Sequence, residues 1–136
     1  MTGPHEIVNP DALASPIGFS HAVVASPGRT VYLGGQTGHD GSGEIVGPGV
    51  VEQFDRAASN VIIALEAAGG RPEHIVSMQI FVTDLDDYRS SLKPLNEAYR
   101  KHFGKRYPAV ALFGMTGLFD PKAKVELVCI AVVPES

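Results

Sequence analysis

Cysteine occurs once, positive charge is scarcer than negative, and no apolar run approaches the length of a membrane span. A single thiol, Cys129, excludes an intramolecular disulfide and any multi-cysteine metal site, and it suits a reducing compartment. Its apolar neighbours point to an inert core thiol rather than a nucleophile, because reactive thiols need polar, accessible surroundings. Charged residues make up 19% of the chain against 44% hydrophobic, too little charge and too much apolar surface for a disordered chain. Eleven Lys and Arg against fifteen Asp and Glu leave a net charge of −4, which argues against nucleic-acid binding through a broad basic field. The basic cluster Arg100, Lys101, Lys105 and Arg106 reads as a solvated helix end. The first ten residues lack the basic stretch and apolar run of a secretory signal, so the expectation is a cytoplasmic protein with no membrane partner.

What is present fits one domain spanning residues 1–136. Residues 1–18, with Pro4, Pro10 and Pro16, read as an extended arm and loop. His21 to Ser26 and Val31 to Gly34 read as strands joined in a hairpin through Pro27-Gly28-Arg29. The Gly34-Gly35 pair that ends the second strand marks a bulge or a close approach by a ligand or another backbone. From Val50 to Ala68 apolar residues recur at three- and four-residue steps, the pattern of an amphipathic helix, and Gly69-Gly70 ends it. Ile75 to Thr83 alternates as a strand with one buried face. A second helical region opens at Asp84, and Pro94 places the start of its main helix, which runs to Phe103. Tyr107 to Val133 reads as two apolar strands joined by a turn at Phe119 to Lys122. The sum is an α+β sandwich with two helices on one sheet face. The other face is left bare and apolar, which calls for further copies of the chain to cover it.

Known catalytic spacings are missing. The five histidines are scattered and none stands in a metal-ligand motif, so no metal is expected. The Gly34 to Gly38 stretch matches neither phosphate-binding glycine pattern, and no serine elbow exists. A thin set of polar residues at strand and helix ends remains: Ser20, His21, Gln36, Thr37, His39, Asn96 and Glu126. Each also has an ordinary reading as a hydrated surface group. Glu126 stands out because Val125, Leu127, Val128, Cys129 and Ile130 surround it, and a carboxylate there must face water, a partner or a ligand.

Several ordered segments resemble one family: Ile17 to Val23, Val31 to Gln36, Leu65 to Gly69, Phe81 to Tyr88, Asn96 to Tyr99 and Tyr107 to Ala109. This order is similar to that of the Rid family, also called YjgF-like, the reactive intermediate deaminase or endoribonuclease L-PSP-like proteins. The resemblance covers nearly the whole chain. It implies a chorismate-mutase-like α+β fold with a mixed sheet, a homotrimeric barrel, small-molecule sites in the clefts between subunits, and hydrolysis of enamines or imines such as 2-aminoacrylate without a cofactor. Residue by residue, the family's active acid falls on Glu126 and its asparagine on Asn96. Its substrate-packing aromatic, usually tyrosine, falls on Phe19, and the serine of its Ser-Gly-Gln motif becomes Gly34, followed by Gly35. The arginine that pairs with the substrate carboxylate is replaced by Val110, and a nearby cysteine by Leu112.

A bidentate arginine is among the stronger contacts for a carboxylate, and valine offers none. The expectation is therefore a cofactor-free, deaminase-like hydrolase with an altered substrate. Glu126 and Asn96 are its catalytic residues, and Phe19, His21, Gly34, Gly35 and Val110 contact substrate. Arg29, Lys105, Arg106 or protonated His21 are candidates to replace the lost cation. The alternative is a trimer that binds a metabolite, or regulates, without turning it over. Ribonuclease activity, proposed for some relatives, fits the acidic charge least.

Overall fold

In the computed structural model, which describes residues 3–135, the chain forms seven strands and three α-helices. They are β1 (Glu6–Val8), β2 (Ala22–Val24), β3 (Gly28–Tyr32), β4 (Gln36–Thr37), α1 (Val50–Ala67), β5 (Ile75–Val82), α2 (Leu85–Ser90), α3 (Leu92–Phe103), β6 (Ala109–Gly114) and β7 (Val125–Pro134), with a 3-10 turn at Pro72–His74 before β5. The main sheet runs β3-β7-β5-β6, with β4 also paired to β7. It is mixed, because β5 and β6 are parallel while β7 runs antiparallel to β3, β4 and β5.

Strand β7 is the axis of the fold. Val125, Leu127, Cys129 and Ala131 are fully buried against a helix layer that contributes Phe54, Ala58, Val61 and Leu65 from α1 and Leu95, Tyr99 and Phe103 from α3. Each large apolar side chain buried there stabilises the fold by about 1.5–3 kcal/mol. The intervening residues Glu126, Val128 and Ile130 point to the opposite face, since successive side chains of a strand alternate. Phe81, Gln79, Phe113, Ala111 and Tyr32 share that face by register. Phe81 and Phe113 stack there at 5.3 Å, and Tyr32 is 78% exposed. The bare apolar face anticipated from the strand pattern is present.

Local chemistry sets the helix ends. Glu52 Oε1 accepts a hydrogen bond from the Gly49 amide at 2.9 Å, tying down the start of α1. Gly69, at φ +89°, leaves the helix in the left-handed region. Asp84 accepts from the Asp87 amide at 3.0 Å and starts α2.

Three expectations are corrected. The hairpin of residues 21–34 does not form. β2 pairs with β1, a strand inside the presumed N-terminal arm, and β3 pairs with β7. Gly28 is a strand residue rather than a turn residue: a Cβ there would collide with the Val133 backbone of β7. The last two strands, β6 and β7, are not neighbours, because β5 lies between them. The turn is nonetheless built as read, with Asp120 Oδ1 accepting from the Lys122 amide at 2.9 Å. Glu126 lies on an interior strand, between β4 and β5. Finally, α3 begins at Leu92, with Pro94 in its first turn, where the missing N–H has no intrahelical acceptor to lose.

Candidate functional site

Two groups of sequence-predicted residues come together, on opposite faces of the sheet. The first group surrounds Glu126. Its neighbours across the ladder are Thr37 on β4 and Phe81 on β5. Between β3 and β4, residues Leu33, Gly34 and Gly35 face only two residues of β7, which is the bulge anticipated from the glycine pair. The bulge brings Gly35 against the acid, and a Cβ on Gly35 would fall on the Glu126 carboxylate. At Gly34 a Cβ would meet open space. Glu126 is partly exposed, and its carboxylate makes no hydrogen bond or ion pair among the described residues. It is a free acid on a largely apolar wall, available to water or a ligand.

The second group lines a cleft of about 790 Å³ between α3, β6 and the loop that precedes β2. Phe19, Asn96, Val110 and Leu112 all face it. Val110 pairs in register with Met78, whose side chain is in the helix-side core, so Val110 points away from the face that carries Glu126. The remaining wall is aromatic and aliphatic, including Tyr88, Tyr99 and Tyr107. The Tyr107 hydroxyl donates to Asn96 Oδ1 at 3.0 Å, and the Tyr107 ring stacks on Tyr99 at 4.9 Å. This fixes the Asn96 amide so that its NH₂ end remains free to donate.

His21 is not a cleft-lining residue. Its Nε2 donates to the Ala14 carbonyl at 2.8 Å, and its ring packs edge-on against Phe19 at 5.0 Å. It holds the loop that places Phe19. Of the cations proposed to replace the lost arginine, none lines the cleft. Lys105 and Arg106 line a neighbouring cavity of about 590 Å³, and Arg106 donates to the His5 carbonyl at 3.2 Å. The charged side chains that do line the cleft are Lys93 and Arg100 of α3. Sequence reasoning placed Arg100 on a solvated helix end and passed over Lys93 and Tyr107. The available signal was helical spacing, since Arg100 lies four residues after Asn96 and shares its face.

Comparison with known proteins places this arrangement. The endoribonuclease L-PSP family model matches residues 9–133. The chain belongs to the Rid/YjgF family. Among its relatives, the goat (Capra hircus) 2-iminobutanoate/2-iminopropanoate deaminase is 34% identical over 116 residues, covering 84% of this chain and 79% of the relative. A Rid-family protein of unknown function from Yersinia pestis, YyfB, superposes with a TM-score of 0.86 at 25% identity, covering 96% of this chain and 99% of that one. RidA from an Antarctic Psychrobacter superposes at 0.68 with 30% identity, covering 88% and 92%. The valine that stands where the resemblance implies a carboxylate-binding arginine, Val110, lies in the wall of the cleft. Cys129 is no reserve nucleophile: it is fully buried, and burial pushes its thiol up to about 12. Among the described residues no group of His, Cys, Asp or Glu is arranged to hold a metal ion, and no helix is long and apolar enough to cross a membrane.

Proposed function

We propose that this Rid/YjgF protein is a cofactor-free imine or enamine hydrolase of the cytoplasm, working as a homotrimer on a substrate different from that of its deaminase-named relatives. The observation that carries the reading is the division of the site. Glu126 with Gly34 and Gly35 lies on one face of the sheet, and Phe19, Asn96 and Val110 line a cleft on the other. Neither half is a site alone. Apposing the Glu126 face of one copy to the cleft of the next completes one, and the exposed aromatic face supplies the apolar surface for that contact.

In this site Glu126 takes a proton from water as the water oxygen bonds to the imine carbon, and the C=N electron pair moves to nitrogen. The tetrahedral carbinolamine then collapses. Glu126 first returns the water proton to the nitrogen, giving the neutral carbinolamine; it then takes the hydroxyl proton as the carbonyl forms and passes it to the nitrogen, which leaves as ammonia. Asn96 orients the substrate through its free NH₂ end, and Phe19 packs on it. The name of the relatives, 2-iminobutanoate/2-iminopropanoate deaminase, supports the reaction class. Val110 supports the change of substrate, because a small carboxylate placed against β6 would meet methyl groups.

The test is release of 2-oxo acid from imino acids generated in situ, over a series of side chains. Glu126→Gln is expected to slow hydrolysis by roughly a hundredfold or more, with the fold retained because the side chain has no structural partner among the described residues. A second reading, a trimer that binds a metabolite without turning it over, is favoured by the joint loss of the arginine and of the tyrosine hydroxyl at Phe19. It predicts ligand binding with no acceleration by the wild-type chain.

A further inference from the structure

We propose that Arg100, on helix α3, holds the substrate's carboxylate in place of the arginine lost from β6, and that the substrate is an imino acid with a bulky apolar side chain. This rests on the deaminase-like reading above. The cleft carries two cations, Lys93 and Arg100, and no acid, in a chain whose net charge is −4. Within one copy the aromatic and aliphatic wall carries only positive charge, which favours an apolar ligand whose anionic group is held on this side of the site.

Arg100 is the cation placed to act. It follows Asn96 by four residues, one helical turn or about 6 Å along the axis, so the two side chains are neighbours on the face that lines the cleft. Tyr107 occupies Asn96 Oδ1, which leaves the amide NH₂ free as a second donor one helical turn from Arg100. Two donors side by side match the two oxygens of a carboxylate, and a guanidinium binds it as a planar fork. The other basic residues at this end of α3 are committed elsewhere. Lys101 Nζ donates to Asp55 at 3.2 Å, and His102 Nε2 lies 2.8 Å from the same carboxylate. Arg100 is exposed and makes no hydrogen bond or ion pair among the described residues.

The size of the cleft then sets the rest of the ligand. A volume of about 790 Å³ suits a ligand well beyond a three-carbon imino acid. With the anion held from α3, Val110 and Leu112 become the floor for its hydrocarbon part.

The experiment uses the full chain and two 2-oxo acid probes, phenylpyruvate and 4-methyl-2-oxopentanoate, titrated calorimetrically beside their methyl esters. Wild type is expected to bind the acids more tightly than the esters. Arg100→Gln is expected to weaken the acids roughly tenfold or more while leaving the esters unchanged, and Arg100→Lys to keep part of the preference. Thermal denaturation of each variant separates loss of binding from loss of fold. Equal affinity of Arg100→Gln and wild type for the acids overturns the assignment. So does an equal loss for acids and esters, absence of binding by wild type, or an acid-specific loss in Lys93→Gln instead. Glu126→Gln, assayed for hydrolysis of the corresponding imines, distinguishes the two levels. Unchanged turnover there sinks the deaminase reading while the binding result still judges Arg100.

Discussion

Two adjacent glycines show how little backbone separates a required residue from a replaceable one. Gly35 faces the Glu126 carboxylate so closely that a methyl group would displace it, whereas Gly34 looks onto open space. The obstacle at Gly35 is the far end of a flexible side chain, so the carboxylate moves and the backbone does not. Gly35→Ala is accordingly expected to lower imine hydrolysis about a hundredfold, the scale of a misplacement near 1 Å, with little change in melting temperature. Gly34→Ser, at the position where the resemblance implies a serine, is expected to leave the melting temperature unaltered. Thermal denaturation together with the keto-acid assay checks both, and a Gly35→Ala variant of full activity would remove Gly35 from the site. The glycine pair was legible as a bulge or close approach. Which glycine carried the constraint was not, because that depends on where β7 lies.

At the scale of elements, a buried amide ties the helix layer to the strand that carries the acid. Gln53, in α1, is fully buried. Its Nε2 donates to the carbonyls of Gly47 at 2.7 Å and Lys122 at 3.1 Å, and its Oε1 accepts from the Lys124 amide at 2.7 Å. One side chain thus satisfies backbone groups on both the loop before α1 and the segment entering β7. Gln53→Leu preserves the volume but leaves those groups unpaired in the interior. It is expected to cost about 2 kcal/mol or more, measurable as a lowered denaturant midpoint, and to loosen the start of β7 at Val125 and Glu126. No periodicity announces such a residue. In the sequence Gln53 is a polar position beside the apolar stripe of α1, and only the return of residues 122–124 over the helix turns it inward. The same limit explains the misread hairpin. Apolar runs flanking Pro27 and Gly28 satisfy the local grammar of a turn, yet β3 finds its partner about a hundred residues away.

Across the whole molecule, the proposed assembly of three copies would cover the exposed sheet face and complete the proposed site. Tyr32 and Phe113 on that face are large apolar side chains exposed in the single chain, a cost that association would remove. The expected outcome of a solution mass measurement is about three times 14.4 kDa, with Tyr32→Asp or Phe113→Asp shifting the population toward the single chain and lowering hydrolysis in parallel. A stable monomer that retains full activity would refute a site shared between copies.

The sequence by itself determined the elements with strong patterns: the amphipathic α1, the alternation of β5, the long apolar β7 with its single acid, and the family to which they belong. These are local properties, written in periods of two and 3.6 residues and in turn chemistry. Only the tertiary structure decided that β1 pairs with β2, that β5 separates the last two strands, and that Glu126 and Val110 face opposite sides of one sheet. It also brought Arg100, rather than Arg29, Lys105 or Arg106, to the cleft beside Asn96. Pairing and convergence depend on contacts far apart along the chain, and the energy of those contacts exists only once the core beneath β7 has packed.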